Sequence, residues 1–183
     1  MLSKSQYTAV WDFLLGRKSK ADMVAALGVD PRADREFLPE LLAGAMRRHD
    51  ADGVEAGLGL MISFDQLGPE RVPVLCDLLI ADWHHKHEDV ARYLQELADP
   101  AAVPALRRAA ELDLPYLEYD ENRALSRKCM WALSDIRTDA AVAALESLSH
   151  SDNVVVRDLA AYHLAKVRNG EPPSRVSQRF RER

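Results

Sequence analysis

Apolar residues in the second half of the chain recur at helical spacing and in a repeating phase. VPVLCDLL (Val72–Leu79), VPALRRAA (Val103–Ala110) and VAALESLS (Val142–Ser149) are versions of one pattern. Val72, Val103 and Val142 stand at the same phase, 31 and then 39 residues apart, while Leu94, Leu133 and Leu164 mark partner segments 39 and then 31 apart. Self-similarity at a period in this range is the signature of stacked helical hairpins, none of which buries its apolar face alone. The pattern predicts helices over Pro69–Asp82, His87–Ala98, Ala101–Leu112, Asn122–Ile136, Asp139–Ser149 and Val154–Val167. Pro104 falls in a first turn, where its missing N–H is no loss. No stretch alternates apolar and polar residues in the manner of a strand, so the expected class is all-α.

Ahead of the repeats, residues 1–67 carry the pattern of about four further helices. Ser5 to Leu15 turns Val10, Trp11, Leu14 and Leu15 inward and stops at Gly16. Ser19 caps a short helix through Leu27, with Gly28 in the position favoured after a helix end. A longer helix follows in DPRADREFLPELLAGAMRRHD, with Phe37, Leu38, Leu41, Leu42, Ala45 and Met46 on one side. After a break at Asp50–Asp52 comes GVEAGLGLMISF, where Gly53, Gly57 and Gly59 weaken the helix and imply close backbone approach. The phrase lacks the third glycine and the strand context of a dinucleotide fingerprint.

At 183 residues the chain suits a single all-helical domain, here 1–168, and a chain this long buries about 70% of its unfolded surface without a disulfide or metal. The two cysteines, Cys76 and Cys129, lie among periodic leucines and alanines and are expected as reduced core thiols, which fits a cytoplasmic protein. No apolar run approaches the ~20 residues that span a bilayer. Charge changes the picture more. The net charge is −5, yet residues 169–183 hold four arginines against two glutamates, a net +2, which leaves −7 on residues 1–168. An acidic body without a basic stripe is a poor nucleic-acid binder and a better match for a basic protein. Residues 169–183, with paired prolines and no periodicity, are expected to form a disordered basic tail.

The phrases ELADPAAVPAL, ALSDIRTDAAVAALESL and LSHSDNVVVRDLAAYHLAKV resemble HEAT-type repeats over about residues 68–167. In that family an Asp in the turn and an Arg early in the next helix recur. Asp152 and Arg157 match them in the last unit, and Asp99 and Asp139 match the turn between paired helices. The middle unit departs, since Arg127 stands one place out of phase. The resemblance implies a right-handed α-solenoid of HEAT-like helical hairpins with extra N-terminal helices. Of the iron-binding HEAT-like hydroxylases this chain has one His-Glu pair, His87-Glu88, where several are needed. HEAT-like DNA glycosylases need a basic groove, which the charge balance here argues against. DWHHKHED, a DP turn, PYLEYD and KCMWAL together look like small bacterial HEAT-like proteins encoded beside secreted toxins. For those the implied role is immunity, the tight masking of a cognate toxin domain.

Two constellations carry candidate chemistry. In Asp82-Trp83-His84-His85-Lys86-His87-Glu88-Asp89, the three histidines could ligate zinc with a carboxylate as fourth ligand, or the segment is a polar inter-helix turn whose acids favour the next helix N-terminus. The loop Asp113–Glu121 stretches the period from 31 to 39 and combines Tyr116 and Tyr119 with Asp113, Glu118, Asp120 and Glu121. Insertions of this kind map to one face of a solenoid, often the binding face, and tyrosines beside acids suit a lysine- or arginine-rich partner. The alternative is that Leu114, Leu117 and one tyrosine pack while the acids face water. Trp83, at a helix end, and Asp77, on a second helix, join the loop as candidate contacts; Trp131 is expected to pack, and Arg107 and Arg108 make the inner face mixed in charge. No serine has a glycine elbow and no Cys–His pair can be argued from spacing, so no catalytic residue is assigned.

The sequence therefore points to a non-enzymatic protein-binding module, monomeric or weakly dimeric, with no cofactor, no nucleic acid and no membrane. Its expected role is an immunity protein against a basic toxin domain. A general scaffold, and a metal- or cofactor-dependent enzyme built on His84, His85 and His87, are the alternatives.

Overall fold

The computed structural model describes residues 2–117 and 123–174. Among them are ten α-helices and no strand. The chain divides into two compact units, Met1–Leu67 and Gly68–Arg183. The division falls where the repeat phase begins.

The first unit holds α1 (Lys4–Leu14), α2 (Lys20–Leu27), α3 (Phe37–Arg48) and α4 (Ala51–Ser63). Each start has a local cause. Ser3 and Gln6 form a reciprocal capping box on α1, Ser19 caps α2, and Asp50 accepts the Gly53 N–H at the head of α4. Gly28 closes α2 in the left-handed conformation, φ 75°. The third helix starts later than its pattern implies, because Asp30 and Asp34 accept the N–H groups of Arg32 and Glu36 and hold turns instead. Leu15, expected inward, is 59% exposed because α1 ends at Leu14.

Helix α4 packs on α3 and α1, and its glycines permit the approach. A Cβ on Gly57 would stand 2.6 Å from Cδ2 of Leu42, a fully buried side chain. Gly57→Ala is therefore expected to destabilise the protein by about 1 kcal/mol net, an overpacking penalty of about 1–3 kcal/mol set against the helix propensity regained. Urea unfolding of the variant checks this, and a stabilised variant would mean that α3 and α4 are loosely packed.

The second unit holds α5 (Val72–Leu79), α6 (His87–Leu97), α7 (Val103–Ala109), α8 (Ala124–Ile136), α9 (Asp139–Leu148) and α10 (Val154–Arg168). Within it α5, α7 and α9 pack in series, and α6, α8 and α10 pack in a second series against them. Helices α5 and α7 each begin with a turn of 3₁₀ helix, Pro69–Arg71 and Pro100–Ala102, followed by a Val-Pro pair at the first two α-helical positions. The repeated phase in the sequence is thus a repeated helix start. The markers Leu94 and Leu133 are fully buried and Leu164 is 7% exposed. Val142 is only half-buried, and α9 faces the core with Ala141, Ala144, Leu145 and Leu148. Near the start of α8 the buried Ser126 donates to the Ala110 carbonyl at 2.7 Å and ties this helix to the end of α7.

The segment after α10 departs from the expectation of a disordered tail over residues 169–174, which fold back on the second unit: Ser174 hydrogen-bonds Asp135. Both cysteines are free thiols, Cys129 buried and Cys76 half-buried. Burial, helped by Asp77 and Asp99, pushes the Cys76 thiol up to about 11, so neither is primed for nucleophilic work. No helix among the described residues is long and apolar enough to cross a membrane.

Candidate functional site

The two constellations picked out in the sequence meet in space. The turn between α5 and α6 carries Trp83 to Lys86, and the insertion after α7 lays Tyr116 against it. The Tyr116 hydroxyl donates to His87 Nδ1 at 2.9 Å, and its ring stacks on His85 at 4.5 Å between centroids. A 3₁₀ turn, Pro115–Leu117, presents the tyrosine, and Leu114 beneath it is buried. In the described part of this loop Leu114 and Tyr116 pack while Asp113 faces water.

The histidines divide by role. His84 and His87 are fully buried and stack at 4.3 Å. His84 Nε2–H donates to the Leu78 carbonyl at 2.8 Å, and its Nδ1 accepts the Lys86 N–H at 3.0 Å. His87 Nε2–H donates to the Ala81 carbonyl while Nδ1 takes the tyrosine hydroxyl. A carbonyl only accepts and a backbone N–H only donates, so His84 is the neutral Nε2–H tautomer. Burial and the neighbouring histidines push its pKa down to about 4, and burial also lowers that of His87. All four ring nitrogens of this pair therefore have protein partners, and a metal would have to displace the bonds that hold the turn. Among the described residues no group of three or more His, Cys, Asp or Glu side chains is placed to hold a metal ion. His85 alone of the three is exposed, and Trp83 is half-buried with its edge toward His84 at 5.2 Å.

On its other flank the insertion borders a cleft of about 300 Å³ lined by Glu111, Asp113, Arg123, Ser151, Asp152 and Asn153, with Val156 at its base. Asp113 is almost wholly exposed, with one carboxylate oxygen 4.0 Å from Arg123. Arg123, in the left-handed region at φ 47°, donates to the Leu112 carbonyl at 3.1 Å and so braces the loop. Ser151 donates to Glu111 at 2.7 Å, and Asn153 caps α10. Three acids face Arg123 here, and Arg157 donates to the Ser151 carbonyl at 3.2 Å on the same rim, so this edge is mixed in charge. By sequence Asp152 is only a turn residue; its place beside Asp113 needs the approach of the α10 start to the insertion, which spacing does not encode.

Of the predicted contacts, Tyr116 lies against His85 and His87, Trp83 against His84, and Asp113 on the opposite flank by Arg123. Asp77 is exposed on α5, a different element. Glu118, Tyr119, Asp120 and Glu121 lie outside the described residues. Trp131 packs as expected, edge-on to His163 at 4.6 Å with Lys166 Nζ above its ring at 4.6 Å. A larger cleft in the first unit, about 590 Å³, is lined by Phe37, Glu40, Gly44, Arg47 and Arg48 among others and brings no nucleophile together with a base.

No protein-family model matches this chain, and no curated protein or solved structure matches it.

Proposed function

We propose that the chain is a protein-binding module, its second unit a right-handed α-solenoid of HEAT-like hairpins, acting in the cytoplasm as an immunity protein that masks a basic toxin domain. The observation that carries this reading is the braced insertion: Tyr116 seated on His85 and His87, with Asp113 projecting beside Glu111 and Asp152. Aromatic area held by packing, rimmed by acids, matches what a lysine- or arginine-rich surface requires. The role of toxin neutraliser rests on the resemblance; the charge and the loop are compatible with it. A metal-dependent enzyme loses ground because the buried histidines already serve the fold.

The test uses the product of the neighbouring gene as the probe. Co-expression with this chain is expected to relieve growth arrest caused by that protein. Tyr116→Ala and Asp113→Lys are expected to weaken the measured affinity at least tenfold; the exposed Asp113→Lys should leave the helical signal and the unfolding midpoint nearly unchanged, whereas Tyr116→Ala also lowers the midpoint because His87 Nδ1 loses its donor. Unrelieved arrest sinks the immunity role. Unchanged affinity in both variants, with arrest relieved, moves the contact surface away from the insertion.

A further inference from the structure

Asp135 is a carboxylate buried beside the polar side chains of Gln95 and His163. It is 1% exposed, near the end of α8, between Ser134 and Ile136, which are also buried. Burying a carboxylate is unfavourable unless donors replace water. Gln95 of α6, itself 7% exposed, supplies one bond from Nε2 to Oδ2 at 2.9 Å. Ser174 supplies two, its N–H to Oδ1 at 2.7 Å and its hydroxyl to Oδ2. Gln95 Nε2 also lies 3.0 Å from the serine oxygen, so the three groups form a closed ring. A single residue beyond the last helix thus satisfies both oxygens of a buried charge.

The chain is shaped to deliver it. Helix α10 ends in a Schellman turn: the Gly170 N–H bonds the Val167 carbonyl, and the Glu171 N–H bonds the Lys166 carbonyl, both at 3.1 Å. Gly170 has φ 72°, a conformation that favours glycine. Lys166 and Glu171 pair at 3.5 Å across the turn. Pro172 and Pro173 then limit the backbone freedom of the segment, which lowers the entropy lost when Ser174 docks.

We propose that Gln95 and Asp135 form a docking site for an extended Pro-Ser segment, and that residues 171–174 are its intramolecular occupant, a strap that can leave and be replaced by a segment of the same chemistry. Attachment to α10 gives the strap a high effective concentration, so the docked state dominates without being permanent. The inference is independent of any toxin partner.

The experiment uses the full chain carrying Ser174→Glu, which sets a carboxylate against Asp135 and vacates the site without touching a helix. A labelled peptide of residues 169–183 is expected to bind this variant at least tenfold more tightly than the wild type, whose site is filled. The same peptide carrying Ser174→Glu is expected not to bind. In the wild type the amide of residue 174 should exchange with deuterium at least tenfold more slowly than the same position in the variant. Equal peptide binding by the two chains, or none by either, overturns the proposal. So does a wild-type dimer by light scattering that the variant abolishes, since the strap would then belong to a second copy.

Discussion

Acidification from pH 6.5 to about 4 is expected to destabilise the second unit by several kcal/mol and to leave the first nearly unaffected. The cause is the pair of buried neutral histidines, His84 and His163, each pushed from the ordinary 6.5 down to about 4, chiefly by burial. The neighbouring His87 and His85 add to this for His84; for His163 the Lys166 ammonium adds and Asp135 opposes. Between the two pH values the unfolded chain binds protons that the folded chain does not, so stability falls as pH falls and levels off below about 4. Each pKa unit is worth about 1.4 kcal/mol, so each histidine contributes on the order of 3 kcal/mol across the window. A total stability of about 5–15 kcal/mol makes the loss large.

The geometry gives the same sign. A proton on His84 Nδ1 would face the Lys86 N–H, donor against donor, and undo the turn on which Tyr116 rests. The first unit has only His49. There the Asp50 carboxyl, which burial alone would raise, is held below its ordinary 3.8 by bonds from the Tyr7 hydroxyl and the Gly53 N–H and by Arg48. Its contribution is present above that value and is lost only as pH falls through the lower folded one. Urea unfolding monitored by amide exchange at pH 7, 5.5 and 4.5 separates the units. The double variant His84→Gln, His163→Gln should start less stable and have a flatter profile. A wild-type profile flat from pH 6.5 to 4.5 would mean that the histidines are not held neutral.

Truncating the three leucines that mark the repeat should produce a graded series. Leu94→Ala and Leu133→Ala remove fully buried side chains from α6 and α8, helices with packed neighbours in their series. Each is expected to cost about 3 kcal/mol or more, the lost transfer energy plus a cavity that cannot collapse. Leu164→Ala, in α10 and 7% exposed, should cost about half as much, because a site at the solvent edge leaves a smaller closed cavity. Chemical denaturation at pH 7 provides the comparison. A Leu164→Ala loss equal to that of Leu133→Ala would show that the α10 site is as tightly enclosed as the α8 site.

Much of the fold was legible because it is local. The 3.6-residue apolar spacing in His87–Leu97, the caps at Ser19 and Thr138, and glycine after Leu27 each act within a turn or two of chain. The candidate site was legible only in its parts. The length and composition of the insertion marked it as unusual, but nothing in DLPYLEYDE states that Tyr116 reaches back 29 residues to His87. The histidines were open to two readings for the same reason. A cluster with ligand chemistry became a cluster of satisfied core residues once two backbone carbonyls and an N–H took its nitrogens. The strap left two faint marks, Asp135 at an apolar phase of α8 and Gly170 followed by paired prolines, and neither marks the other.

The sequence by itself determined the all-helical class, the repeated helix starts and the acid balance, since these follow from spacing, capping chemistry and composition. Only the tertiary structure decided which polar side chains are buried and who satisfies them: His84 and His87 by the α5–α6 turn and Tyr116, Asp135 by Gln95 and Ser174. A hydrogen bond needs partners within about 3 Å, and residues dozens of positions apart reach that distance only when the packed helices bring them together.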